Sequence, residues 1–191
     1  KTPQGKITVN KDDTLLVGEH NLKNIAVAYY ICHDLYGVSD QIFMNRLKTF
    51  KGLPHRLEFV CTIDGISYYD DSISTTCQSC ISGIKSFNNV GTILIGGLDR
   101  GIDYTPLVEY LQDAQVDNII LFSQTANRIK SMLTNKDNVF VVDTLLSACN
   151  LAKKITAKNK VCLLSPAAAS YCDFKNFEER GEKFKEYIKQ N

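Results

Sequence analysis

The chain has 191 residues, with 22 basic against 21 acidic side chains for a net charge of +1, 44% hydrophobic residues and only 4 prolines. This composition predicts a globular protein with a substantial core and excludes collagen-like, disordered and disulfide-scaffold classes. The balanced charge gives no footprint for nucleic acid or an anionic membrane, and no apolar run reaches the roughly 18–20 residues of a membrane-spanning helix. The opening Lys1-Thr2-Pro3-Gln4-Gly5-Lys6 has neither a signal-peptide core nor an initiator Met, so the chain is expected to be part of a longer protein.

Residues 6–17 alternate around Asn10-Lys11-Asp12-Asp13 and predict a hairpin. A helix is expected from about Asn21 to Leu35, with Leu22, Ile25, Ala26, Tyr29 and Tyr30 on one stripe. Another is expected from Ser39, as N-cap, to Phe50, with Ile42, Phe43, Leu47 and Phe50 apolar. Lys51-Gly52-Leu53-Pro54 then punctuates the chain, placing a domain boundary between 1–53 and 54–191. Beyond it, Asp64-Gly65 joins strands 57–63 and 66–70 as a hairpin. Short Val/Ile/Leu runs follow at 90–95, 118–122, 139–142 and 161–164. They alternate with helical stretches at about 74–87, 105–114, 124–134, 144–157 and 176–189. Strands covered on both faces by helices predict an α/β fold with a mostly parallel sheet.

The seven cysteines, an odd number in apolar segments, read as reduced thiols of a cytoplasmic protein. Cys77-Gln-Ser-Cys80 has redox spacing but no second CxxC, and the three histidines form no metal-ligand pattern. Ligands of a parallel sheet bind beyond the strands' carboxyl ends, where three loops stand out. Tyr69-Asp70-Asp71-Ser72-Ile73-Ser74-Thr75-Thr76 offers carboxylates and hydroxyls, either as a helix cap or as a hold on a ribose or carboxylate. Gly96-Gly97-Leu98-Asp99-Arg100-Gly101 is either a plain turn or a backbone cradle with a guanidinium clamp. Ser165-Pro166-Ala167-Ala168-Ala169-Ser170-Tyr171-Cys172-Asp173-Phe174-Lys175-Asn176-Phe177 opens on small residues that allow close ligand approach, or is simply a packed turn. These residues together define an anion-binding α/β domain and no more.

Glu19-His20-Asn21-Leu22-Lys23-Asn24, Gly52-Leu53-Pro54-His55-Arg56, Asp71-Ser72, Gly96-Gly97, Ser165–Ser170 and Phe174-Lys175-Asn176-Phe177-Glu178-Glu179-Arg180-Gly181 occur in order. This series resembles the Mur ligases, in particular their D-glutamate-adding branch. The resemblance implies that 1–53 is the tail of a central ATPase domain and 54–191 a Rossmann-like C-terminal domain that receives the amino acid. It implies ATP and Mg²⁺ as cofactors, UDP-N-acetylmuramoyl-L-alanine and D-glutamate as substrates, and a monomeric cytoplasmic enzyme of peptidoglycan precursor synthesis. By position, Asn24 is similar to an adenine contact, with His20 and Asn21 nearby. Arg56 is similar to an ATP-phosphate contact, and Asp71 to a ribose contact. Thr75, Arg100, Ser170, Tyr171 and Phe177 fall where D-glutamate is held. No catalytic residue and no metal ligand is carried over. The chain departs from the pattern at Ile73, where a lysine is usual, and at Leu98-Asp99-Arg100, in place of Asp-Gly-Lys. The Gly-Lys-Thr/Ser phosphate loop has no counterpart, so these 191 residues are expected to be inactive alone. Another superfamily member, such as a folylpolyglutamate synthetase, or a non-catalytic binding module remains the alternative.

Overall fold

The computed structural model describes residues 7–134 and 136–190 and divides the chain into two units, Lys1–Leu53 and Pro54–Asn191. The first unit is built on α1 (Glu19–Tyr30), which widens into a π-turn at Ile31–Leu35, and α2 (Asp40–Thr49). Tyr29 is its hub. Its ring stacks on His33 and meets Phe43 edge-on, and its hydroxyl donates to Asp40 at 2.6 Å.

The expected hairpin over 6–17 is absent among the described residues; Lys6 lies outside them. A single 3₁₀ turn, Lys11–Asp13, stands there instead, closed by Asn10 and Asp13. An isolated hairpin is marginal without further strands, and the described residues of this unit contain no sheet. Its helical stripes are also narrower than expected. Ile25, Tyr29 and Leu47 are buried, whereas Leu22, Tyr30, Ile42 and Phe50 are exposed, because two short helices cover little of each other's circumference.

In the second unit, Asp64 (φ 53°) and Gly65 (φ 81°) turn the chain between antiparallel β1 (Glu58–Ile63) and β2 (Ile66–Asp70). Four further strands follow: β3 (Val90–Gly96), β4 (Asn118–Phe122), β5 (Val139–Val142) and β6 (Val161–Leu164). The order is β1-β2-β6-β3-β4-β5, and every pair beyond the first is parallel. Side chains alternate across the sheet. Ile93, Ile95, Ile119, Leu121 and Leu163 join one core under α3 (Cys77–Lys85), α4 (Thr105–Asp113) and α5 (Ala126–Met132). Leu94, Ile120, Phe122 and Leu164 join the other under α6 (Leu145–Ile155) and α7 (Phe177–Lys189). No helix among the described residues is long and apolar enough to cross a membrane.

Helix caps set the lengths of the loops. Thr76 and Ser79 form a reciprocal capping box, so α3 starts at Cys77 rather than 74 and leaves Asp71–Thr75 free as a loop. Asn176 caps α7 through the amide of Glu179. The inserted β6 brings the carboxyl ends of β2, β6 and β3 side by side, with Asp70 level with Leu164, and Leu164 with Leu94.

Candidate functional site

Beyond that level, the three loops stay laced together. The amide of Asp71 donates to Leu164 O, Ser165 to Leu94 O, Gly96 to Pro166 O, Leu98 to Ala169 O, and Ala167 to Ser74 O, all within 3.2 Å. Beneath them lies Arg180, from the first turn of α7, with no exposure to solvent. Its guanidinium donates to Ser72 Oγ (2.9 Å), Ser72 O (2.8 Å), Ala168 O (2.9 Å) and Gly96 O (3.4 Å). One planar fork thus joins all three loops. Every one of these acceptors is neutral. Burial pulls the Arg180 group down to about 10, so it is still charged at neutral pH and lays positive charge under the loops. Gly96 and Gly97 make this closeness possible. A Cβ on Gly96 would lie 2.0 Å from Phe122 O, and one on Gly97 2.2 Å from Ala169 O and 3.0 Å from Arg180.

Arg56 stands at the edge of this floor, exposed, in a turn whose neighbours His55 (φ 61°) and Leu57 (φ 45°) are both left-handed. Such conformations cost about 1–3 kcal/mol each and persist only where the surroundings enforce them. Here they do. His55 Nδ1 bonds Asp70 Oδ2 at 2.8 Å, the His55 amide donates to Glu58 at 2.8 Å, and Ile73 N donates to His55 O. Asp71 Oδ1 accepts from Leu57 N at 3.2 Å, while its Oδ2 accepts from Ser165 Oγ at 2.8 Å. Asp71 is 2% exposed, and burial raises its carboxyl to about 6 against the hydrogen bonds that lower it. The side chain expected at a ribose is therefore turned inward, bracing the Arg56 turn.

His55, Glu58 and Asp70 offer three ligand atoms within 4.8 Å of one another. Lys185 fills the role of a cation there: its ammonium lies 2.8 Å from Glu58 and 3.8 Å from Asp70. The Asp70 hydrogen bond raises the His55 pKa, opposed by burial and Lys185. The arrangement is an ion-pair network, already neutralised.

Of the residues expected to hold the amino acid, Arg100 and Thr75 come together, with Arg100 donating to Thr75 O at 3.3 Å. On the adjacent β6 loop Ser170 is buried, its carbonyl accepting from Asp173 N and Phe174 N, and Tyr171 is 68% exposed. Phe177 opens α7; its carbonyl accepts from Ser72 Oγ at 2.8 Å and its ring meets His55 edge-on. Asn24 belongs to the first unit, on α1, where it is exposed and donates to Asn21 Oδ1. The CxxC thiols are engaged elsewhere, Cys77 on Asp103 O and Cys80 on Ser165 O, and burial raises both. Arg180 was given no role by sequence. Its signal was there, because it falls on the stripe Arg180, Phe184, Ile188, where an apolar residue is the rule.

The fold class follows from this geometry: a Rossmann-like domain with three loops laced at the carboxyl ends of parallel strands, the fold shared with the C-terminal domains of Mur ligases. A crystal structure of MurF from Acinetobacter baumannii superposes with a TM-score of 0.74 at 17% identity, covering 99% of this chain and 41% of that one. Mycobacterium tuberculosis folylpolyglutamate synthase complexed with ADP gives 0.67 at 12% identity, covering 92% and 41%. No family model matches the chain. More particularly, the chain is similar in sequence to the UDP-N-acetylmuramoylalanine–D-glutamate ligases, whose C-terminal part it matches. It is 36% identical over 189 residues to that of Caldanaerobacter subterraneus subsp. tengcongensis, covering 97% of this chain and 42% of the relative. It is 39% identical over 183 residues to that of Oenococcus oeni, covering 95% and 41%. The chain thus spans about two-fifths of the length of the curated relatives it matches.

Proposed function

We propose that this chain is the amino-acid-receiving part of a cytoplasmic, ATP-dependent ligase that adds D-glutamate to UDP-N-acetylmuramoyl-L-alanine. In the reaction implied, ATP phosphorylates the alanyl carboxylate, releasing ADP. The amine of D-glutamate then displaces phosphate from the acyl phosphate to form the amide. The observation that carries this reading is the Arg100–Thr75 contact in a chain 36% identical to D-glutamate-adding relatives. A guanidinium, a hydroxyl and the first amides of α7 suit an acceptor with two carboxylates, since hydrogen bonds to ionised groups are the strong ones. Ser170, Tyr171 and Phe177 complete that side. The charge of Arg180 below favours an anion without touching it.

Arg56, exposed on its braced turn, is assigned to the ATP phosphates, where it would stabilise charge developing during transfer. Asn24 is assigned to the adenine. Asp71 serves the nucleotide by holding the Arg56 turn rather than by direct contact in this conformation. Mg²⁺ accompanies ATP in the reading, but the His55–Glu58–Asp70 group does not fit it, because Lys185 already neutralises those carboxylates.

The test is steady-state kinetics of the whole protein, with release of phosphate dependent on both substrates. Arg100→Ala is expected to raise the KM for D-glutamate roughly ten- to a hundredfold with little change for ATP, and Arg56→Ala to do the reverse. Equal effects of Arg100→Ala on both substrates, or none on either, would remove the assignment.

A further inference from the structure

We infer that Arg128 of α5 is the positioning residue for Arg100, a single guanidinium that fixes the loop on both sides of it. The inference rests on the acceptor reading above and deepens it. Arg100 is exposed and lies on the loop between β3 and α4, a segment with no regular secondary structure of its own. The start of that loop is anchored by Leu98, paired with Ala169. From there on Arg128 takes over. Its NH1 donates to Asp99 Oδ1 at 2.7 Å, its NH2 donates to Ile102 O at 2.9 Å, and its guanidinium carbon lies 5.4 Å from the centroid of the Tyr104 ring. The same Asp99 oxygen accepts the amide of Gly101 at 2.9 Å. Residues 99, 101, 102 and 104 are therefore tied directly or through Asp99 to one side chain, and Arg100 lies among them.

The anchor is itself rigid. Ala126 and Ile129, on either side of Arg128 in α5, are almost fully buried in the core, and the Thr125 amide donates to Gly97 O at the loop's other end. The task suits arginine rather than lysine. Two donors in one plane reach a carboxylate and a carbonyl while the face lies over an aromatic ring, which a point-charge ammonium cannot reproduce. Among the described residues the polar contacts of the Arg128 side chain are Asp99 and Ile102 of the loop, so its effect on a bound acceptor passes through Arg100.

The test uses the 191-residue chain with D-glutamate as the probe, followed by chemical-shift titration, together with amide hydrogen exchange. In Arg128→Gln, exchange of the Gly101 amide should accelerate roughly tenfold while the amides of β3 and β4 keep their protection. The D-glutamate dissociation constant should rise roughly three- to tenfold, the scale expected for a partly exposed charged pair with fork geometry. Arg128→Lys should fall between, and Asp99→Asn should reproduce part of the loss, which also covers the case in which Arg128→Gln fails to fold. Unchanged Gly101 exchange or unchanged D-glutamate binding in Arg128→Gln overturns the inference alone. Failure of the wild-type chain to bind D-glutamate overturns the acceptor reading and this inference with it.

Discussion

At the scale of single residues, Asp71 shows how a motif aspartate can serve a site from beneath. Burial raises its carboxyl from 3.8 to about 6 in spite of bonds from Leu57 and Ser165. Because the folded value lies above the unfolded one, the native state holds its proton more tightly between about pH 4 and 6. Stability from this group is thus greatest in acid and declines as pH rises through that window. Asn keeps the shape, accepting from Leu57 N and donating to Ser165, without a charge to bury. The stability of Asp71→Asn relative to the wild type is therefore expected to improve by at most about 3 kcal/mol between pH 4 and 7, measured by urea unfolding. A difference that stays flat with pH would show that the carboxylate is not paying for its burial. The sequence placed Asp71 in the right loop. It could not tell which way the side chain faces, since that depends on Leu57 and on Ser165, 94 residues further on.

At the scale of elements, α7 illustrates what patterning reveals and what it conceals. Strands β4, β5 and β6 have the limits that their apolar runs predict: β4 and β6 are buried on both faces and so apolar at successive positions, and the half-covered edge strand β5 is legible through its Val-Phe-Val-Val run. Helix α7 was legible too, through Asn176, the acidic first turn and the Phe184 and Ile188 stripe. Its closest contact was not. A Cβ at Gly181 would lie 2.2 Å from His55 Nδ1 and 2.6 Å from Asp70 Oδ2. Replacing a helical glycine by alanine ordinarily stabilises a helix by about 1 kcal/mol. Here the sign reverses, because the methyl group would push apart the buried pair that braces the Arg56 turn. Gly181→Ala is expected to destabilise the unit by ~1–3 kcal/mol, the usual range for overpacking, and, in an NMR titration, to give a lower His55 pKa than the parent chain, because the Asp70 hydrogen bond that raises it is disturbed. A stabilised variant with an unshifted His55 would mean that α7 does not press on the pair.

At the scale of the whole molecule, the two units differ in how much of their apolar surface they cover. In Pro54–Asn191 both faces of the sheet are closed by helices, and Ile93, Leu94, Ile120 and Leu163 have no exposure at all. Among the described residues of Lys1–Leu53 the buried set is Asn21, Ile25, Tyr29 and Leu47, while Val27, Leu35 and Tyr36 are 60%, 62% and 78% exposed. Burial of apolar surface is the dominant favourable term in folding, so cooperativity should follow this division. Amides of β3, β4 and β6 are expected to exchange only through global unfolding. Those of α1 and α2 should exchange through local opening, with protection lower by roughly a hundredfold or more, since few buried contacts oppose it. The chain cut to residues 54–191 should keep the thermal transition of the sheet, because none of that unit's core residues lies before Leu57. Uniformly slow exchange across both units, or loss of the transition in the shortened chain, would mean that α1 and α2 belong to the same cooperative unit as the sheet.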